Sequence, residues 1–168
     1  MQSSTGHSPS GGSDHATRSG VVLVAIQAVL FVAVGLWPSS WGPSLAAHRT
    51  LGAVLVVLGA AGMVVAGRAL GASLTPLPDS NGRGLRTRGV YRWVRHPMYS
   101  AIVVVALGVA CARGAWVVWG LVVVLALFFD LKTRREEMTL VRTYPGYADY
   151  ASATGKFIPG LGKRRRRR

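Results

Sequence analysis

Cysteine occurs once, as Cys111. An intrachain disulfide is therefore impossible, and no zinc-ligand spacing surrounds it. Cys111 reads as a small apolar helix residue. Aromatics are also few, at 8%. The apolar content is mostly Val, Ala, Leu and Gly, and it comes in long runs. That composition suits helices dissolved in lipid better than a soluble core. The start of the chain has little of what a cleaved secretory signal needs. Arg18 is its only basic residue before the first apolar run. That run is long for a signal, and Leu45-Ala46-Ala47 lies too far downstream to be a cleavage site. The run is expected to be retained.

Half of the 168 residues are hydrophobic, and mean hydropathy is +0.33. The length suits one domain. Net charge is +14, but the charge is localised to residues 83–95, 132–142 and 156–168. A soluble nucleic-acid binder can share this total, yet it does not carry four apolar runs. No nucleic-acid partner is expected. Residues 1–19 lack periodicity and are expected to be disordered. The apolar runs are Gly20–Trp37, Leu51–Leu70, Pro97–Ala112 and Ala115–Leu131. Gln27 is the one polar break in the first. The last two runs give helices about 25 Å long at 1.5 Å per residue, short for a roughly 30 Å hydrocarbon core. Residues 133–152 are polar and helical in pattern.

The expected fold is all-α and integral to the membrane. It has about four transmembrane helices and a cytoplasmic C-terminal helical segment. The membrane domain spans 20–161. Within it lie a loop at 72–96, a helical hairpin at 97–131 and the C-terminal segment at 132–161. A polybasic tail follows at 162–168. With four spans, the loop holding Arg83, Arg86, Arg88, Arg92 and Arg95 shares a side with both termini. The two other loops hold only Arg49 and Arg113. The positive-inside rule places the richer side in the cytoplasm. Trp37, Trp41, Trp116 and Trp119 then mark the outer interface and Trp93 the inner one. The tail is expected to bind anionic lipid.

The densest chemistry is Gly89-Val-Tyr-Arg-Trp-Val-Arg-His-Pro-Met-Tyr99, directly before the third run. Of four histidines, only His96 has such surroundings. Pro97 suits the first helical turn, where its missing N–H costs nothing, so His96 is held at a helix mouth. Past the fourth run comes Lys132-Thr-Arg-Arg-Glu-Glu-Met-Thr-Leu140. Ionisable groups at a membrane edge are costly unless they pair or bind something.

Leu74-Thr-Pro-Leu-Pro78, Gly89-Val-Tyr91, Arg95-His-Pro-Met-Tyr99, Glu136-Glu-Met-Thr-Leu140, Tyr147-Ala-Asp-Tyr150 and Lys156-Phe-Ile-Pro-Gly160 stand in this order. Together they resemble the isoprenylcysteine carboxyl methyltransferase family, which is related to phospholipid methyltransferases. The resemblance covers residues 74–161. It implies S-adenosylmethionine (SAM) as methyl donor, bound between the last membrane hairpin and the C-terminal segment. The contacts it implies are Arg83, Gly84, Leu85, Arg86, Tyr91, His96, Pro97, Met98, Tyr99 and Glu136. It places Lys132 against the substrate. It implies no metal, and no catalytic residue follows with certainty. The acceptor is expected to be a lipophilic small molecule or lipid entering from the bilayer. The family's many small bacterial members imply a bacterial plasma membrane.

The chain departs from the family at two points. Lys132 stands where some members have Arg, and lysine lacks the bidentate fork. Ala101 stands where Gly is usual, which narrows close helix packing.

Blander readings stand beside these. Arg88 and Arg92 read as topology signals. Glu137, and in part Glu136, read as partners of arginines on their own helix. Tyr147 and Tyr150 read as interfacial anchors, and Asp130 as reaching toward headgroups. The rival functions are an NADPH-dependent membrane reductase of the sterol-reductase-like fold and a non-catalytic small membrane protein.

Overall fold

The computed structural model describes residues 11–38, 41, 43, 45–71, 85 and 87–164, with side chains from Gly20 onward. The expectations for residues 1–10 and for Leu74–Pro78, Arg83, Gly84, Arg86 and the last four tail residues lie outside these. Among the described residues five α-helices form: α1 Gly11–Leu36, α2 Arg49–Leu70, α3 Pro97–Arg113, α4 Trp116–Thr143 and α5 Tyr147–Ala153. A 3-10 turn covers Gly89–Arg92. No strand is present among the described residues; one isolated parallel bridge joins Val94 to Gly155.

The four apolar runs each become a helix, with two differences at their ends. The backbone of α1 extends back to Gly11, into the stretch expected to be disordered. Once the apolar segment nucleates the helix, propagation costs little per residue. More consequential is α4, which does not stop with its apolar run at Leu131 but continues to Thr143. Residues 132–143 are mostly straight-chain helix formers, and Arg134 pairs with Asp130 one turn back at 2.7 Å. At 1.5 Å per residue the helix is about 42 Å long. The break comes at Pro145 and Gly146, which separate α4 from α5, because proline disfavours helical backbone in the residue before it. The boundary expected at 131/132 is thus not a structural one.

Two helices, Arg49–Leu70 and Trp116–Thr143, are long and apolar enough to cross a membrane by length and composition. Gly20–Leu36 and Pro97–Arg113 are shorter apolar helices. Large apolar side chains such as Val29, Val57 and Leu127 point outward. The core joins Val34 of α1, Ala106 and Ala110 of α3, and Val118, Val122, Leu125 and Phe129 of α4. These α4 positions recur every three or four residues, the spacing of one helix face. The same face continues into Lys132, Thr133 and Glu137, which are also buried. The register of the core stripe therefore decides which polar residues of α4 turn inward.

Helices α2 and α3 pack through small residues. A Cβ on Gly52 would lie 2.6 Å from the Gly108 carbonyl oxygen, and one on Gly59 would lie 2.8 Å from that of Ala101. Close approach survives Ala101 because α2 supplies the glycines opposite it. At the far end, Gly114 adopts φ +67° and its N–H bonds to Ala110 O to close α3. Arg113 reaches across to the carbonyls of Gly35 and Trp37 at the end of α1. It satisfies carbonyls that a helix terminus leaves open. The loop after α1 is tied to this turn through Leu45 N–H to Gly114 O at 2.5 Å and Trp116 N–H to Pro43 O at 3.2 Å.

Candidate functional site

The site lies at the opposite end, where the start of α3 meets the polar extension of α4. His96 is the residue before α3, with Pro97 in the first turn. Its backbone N–H donates to Lys156 O at 3.1 Å, and that of Arg95 donates to Gly155 O at 2.8 Å. Ser100 Oγ donates to Phe157 O at 2.7 Å. The segment after α5 thus returns alongside the entrance to α3 and covers it.

Arg95 fastens this segment. Its side chain is 1% exposed. Nε donates to Glu137 Oε1 at 2.9 Å, one terminal nitrogen donates to the carbonyls of Ala151 and Thr154, and the other donates to Gly162 O at 2.9 Å. Glu137 also takes His96 Nε2 at 3.2 Å. Glu137 is therefore not a partner of the arginines on its own helix. It faces the core side of α4, while Arg134 is exposed. Sequence reading missed this role because the partners are 41 and 42 residues away. The signal was available in the helical register, which puts Glu137 on the face of Phe129 and Thr133.

The Glu137 carboxylate, bonded to a guanidinium, is an acceptor, so His96 Nε2 must donate to it. In a neutral imidazole Nδ1 is then an acceptor. Nδ1 faces Glu136 Oε2 at 3.8 Å, too far for a hydrogen bond. The other Glu136 oxygen receives the Tyr99 hydroxyl at 2.7 Å. Glu136 Oε2, which takes no hydrogen bond from the His96 ring, presents a place for a cationic donor.

Tyr99 lies at the centre. Its ring stacks on Phe129, with centroids 4.6 Å apart, and lies 5.9 Å from the His96 ring. The Lys132 ammonium sits over it at 5.2 Å and donates to Gln27 Oε1 of α1 at 2.8 Å. His96, Tyr99, Lys132 and Glu136 are thus brought together. Met98 and Pro97 are half-buried in the first turn of α3, and Leu85 is half-buried in the preceding segment.

Tyr91 is buried, and burial pushes its hydroxyl up to about 12. It stays neutral at physiological pH and offers a ring face and a hydroxyl, not a base. Its carbonyl accepts the Tyr150 hydroxyl at 2.6 Å. Tyr147 is 1% exposed. Both tyrosines therefore pack inward instead of anchoring at a lipid interface, because α5 lies against the Arg95 cluster. Burial raises the Tyr147 hydroxyl well above its ordinary value, with the Glu137 charge adding to this. That hydroxyl is buried and has no hydrogen-bond partner among the described residues. Asp130 does not extend freely either: it takes Lys156 Nζ at 2.5 Å as well as Arg134.

The protein comparisons bear on what this arrangement is. The eukaryotic intramembrane Ras methyltransferase ICMT (isoprenylcysteine carboxyl methyltransferase) has a solved structure similar to this one. The TM-score is 0.60 at 23% sequence identity, over 92% of this chain and 55% of that one. The likeness is one of fold, and this chain spans about half the length of that protein. No curated protein matches in sequence. The phospholipid methyltransferase family model matches residues 47–146, more than half of the chain. That span runs from the start of α2 to the end of α4 and holds Tyr91, His96, Tyr99, Lys132 and Glu136; the chain belongs to the phospholipid methyltransferase family.

Proposed function

We propose that this membrane methyltransferase uses SAM and acts on a lipophilic acceptor, a carboxylate, thiol, amine or lipid headgroup, at the cytoplasmic face. The observation that carries the reading is the Glu136 carboxylate set beside the His96 and Tyr99 rings. SAM has a cationic sulfonium, an ammonium, a carboxylate and an adenine. The residues present fit it. Glu136 and His96 Nδ1 offer acceptors for the ammonium. Tyr99 and Tyr91 offer π faces for a cation. The Tyr147 hydroxyl, without a hydrogen-bond partner among the described residues, is a further buried polar group near the Arg95–Glu137 pair.

When bound, SAM supplies an electrophilic methyl group on sulfur. Methyl transfer needs in-line approach and a dry pocket more than acid–base groups. The role of this chain's residues is accordingly positional. Glu137 holds His96 in one tautomer, Arg95 holds Glu137, and the segment after α5 shields the entrance to α3. Lys132, over the Tyr99 ring, is assigned to the acceptor.

His96→Ala is expected to weaken SAM binding by about 1.5–3 kcal/mol, the scale of a hydrogen bond to a charged group. Calorimetry on the purified protein in detergent reads this directly. Equal affinity for wild type and variant would remove His96 from the site.

The proposal includes four spans with both termini and the 72–96 loop in the cytoplasm, supported by the arginines of that loop and the basic tail. Reporter fusions at residues 80 and 168 should report cytoplasmic, and a fusion at residue 44 should report the outside. A loop fusion found outside would move the site to the other face of the membrane.

A further inference from the structure

Lys132 is 2% exposed and makes no ion pair among the described residues. Glu136, one turn on along α4, favours the ammonium through space but forms no ion pair with it, and its Oε1 takes the Tyr99 hydroxyl. A buried cation with no directly paired anion is costly. One of the three ammonium donors goes to Gln27 Oε1, which leaves two. That bond also fixes the amide of Gln27: with its oxygen toward Lys132, its nitrogen is a donor, and it bonds to nothing among the described residues. Gln27 is the one polar side chain in an otherwise apolar stretch of α1, Gly20–Leu36. A polar residue placed among lipid-compatible ones is expensive unless used. It lies outside the stretch matched by the family model, 47–146. The Lys132 contact with a substrate belongs to the reading above. The part played by α1 does not.

We infer that Gln27 and Lys132 form a two-donor subsite for an oxyanion, the carboxylate or phosphate of the acceptor, and that Gln27 selects for it. The inference rests on the methyl-transfer reading only for calling the ligand an acceptor. The geometry brings donors from α1 and α4 together at the Lys132 ammonium, which lies over the Tyr99 ring. An oxyanion there would pair directly with the Lys132 ammonium, which no carboxylate among the described residues does. Two neighbouring parts of one site would then be told apart by charge, with the cation acceptor at Glu136 and anion donors at Gln27 and Lys132.

The test uses the full chain in neutral detergent and reads its thermal unfolding midpoint with three twelve-carbon amphiphiles. Dodecanoate, dodecyl phosphate or both should raise the wild-type midpoint by several degrees, and dodecanol should not. Which of the two anions acts distinguishes a carboxylate from a phosphate acceptor. Gln27→Glu places a carboxylate against Lys132, so it should fold and should abolish the anion-dependent shift. Gln27→Leu should reduce the shift, with SAM affinity within twofold of wild type in both variants. An equal shift from dodecanol, or an undiminished anion shift in Gln27→Glu, would overturn the inference. Absence of SAM binding by wild type would instead strike the methyl-transfer reading and leave the anion result to stand on its own.

Discussion

Arg95→Leu is expected to lower stability by about 3–5 kcal/mol, the cost of leaving a buried charge without its partner. Four acceptors lose their donor at once: Glu137 and the carbonyls of Ala151, Thr154 and Gly162. The loss should also be directional. The segment after α5 is held to the rest by Arg95, by the backbone bonds around Gly155 and Lys156, and by Ser100. Removing the guanidinium should therefore expose residues beyond 150 to protease well before the helices unfold. Unfolding in detergent, with limited proteolysis on the same samples, checks both parts. The double variant Arg95→Leu with Glu137→Leu should recover part of the loss, because no isolated charge is then left buried. A double variant no better than Arg95→Leu would assign the cost to the lost carbonyl bonds instead of to Glu137.

The second large effect is expected at the contact of α2 with α3. A Cβ on Gly108 would lie 2.7 Å from the Gly52 carbonyl oxygen and 2.8 Å from the Val56 backbone nitrogen. These are backbone atoms of a neighbouring helix and cannot rotate away. Gly108→Leu must push α2 and α3 apart, at a cost of about 1–3 kcal/mol or more. Because α3 carries His96 and Tyr99, SAM affinity should fall with stability. Gly120→Leu is the matched control. A Cβ there meets nothing within 4 Å, so its effect should stay within about 0.5 kcal/mol of wild type or favour the helix slightly. Equal damage from both substitutions would show that the membrane-facing side of α4 is as constrained as the α2–α3 seam.

The sequence determined the helices, because each apolar run is long enough to demand internal backbone hydrogen bonding where water is scarce. It also determined which residues of α4 turn inward. The spacing of Val118, Val122, Leu125 and Phe129 carries on to Lys132, Thr133 and Glu137, and helical periodicity is a local property of the chain. The motif from Arg95 to Tyr99 was legible for the same reason: its members lie around the first turn of α3, whereas Glu136 lies inside α4.

Partnerships were not legible. Glu137 looked like a match for Arg134 or Arg135, three and two residues before it. Its partners, Arg95 and His96, are 42 and 41 residues away. Gln27 looked like an isolated break in an apolar helix, and it meets Lys132 across 105 residues. Tyr147 and Tyr150 looked like interfacial anchors until α5 was seen packed on the Arg95 cluster. Such contacts depend on how helices are ordered and rotated about one another, which is settled by the Gly52–Gly108 approach and the α1–α3–α4 core. Local periodicity fixes which face of a helix is buried; only the packing decides what that face touches.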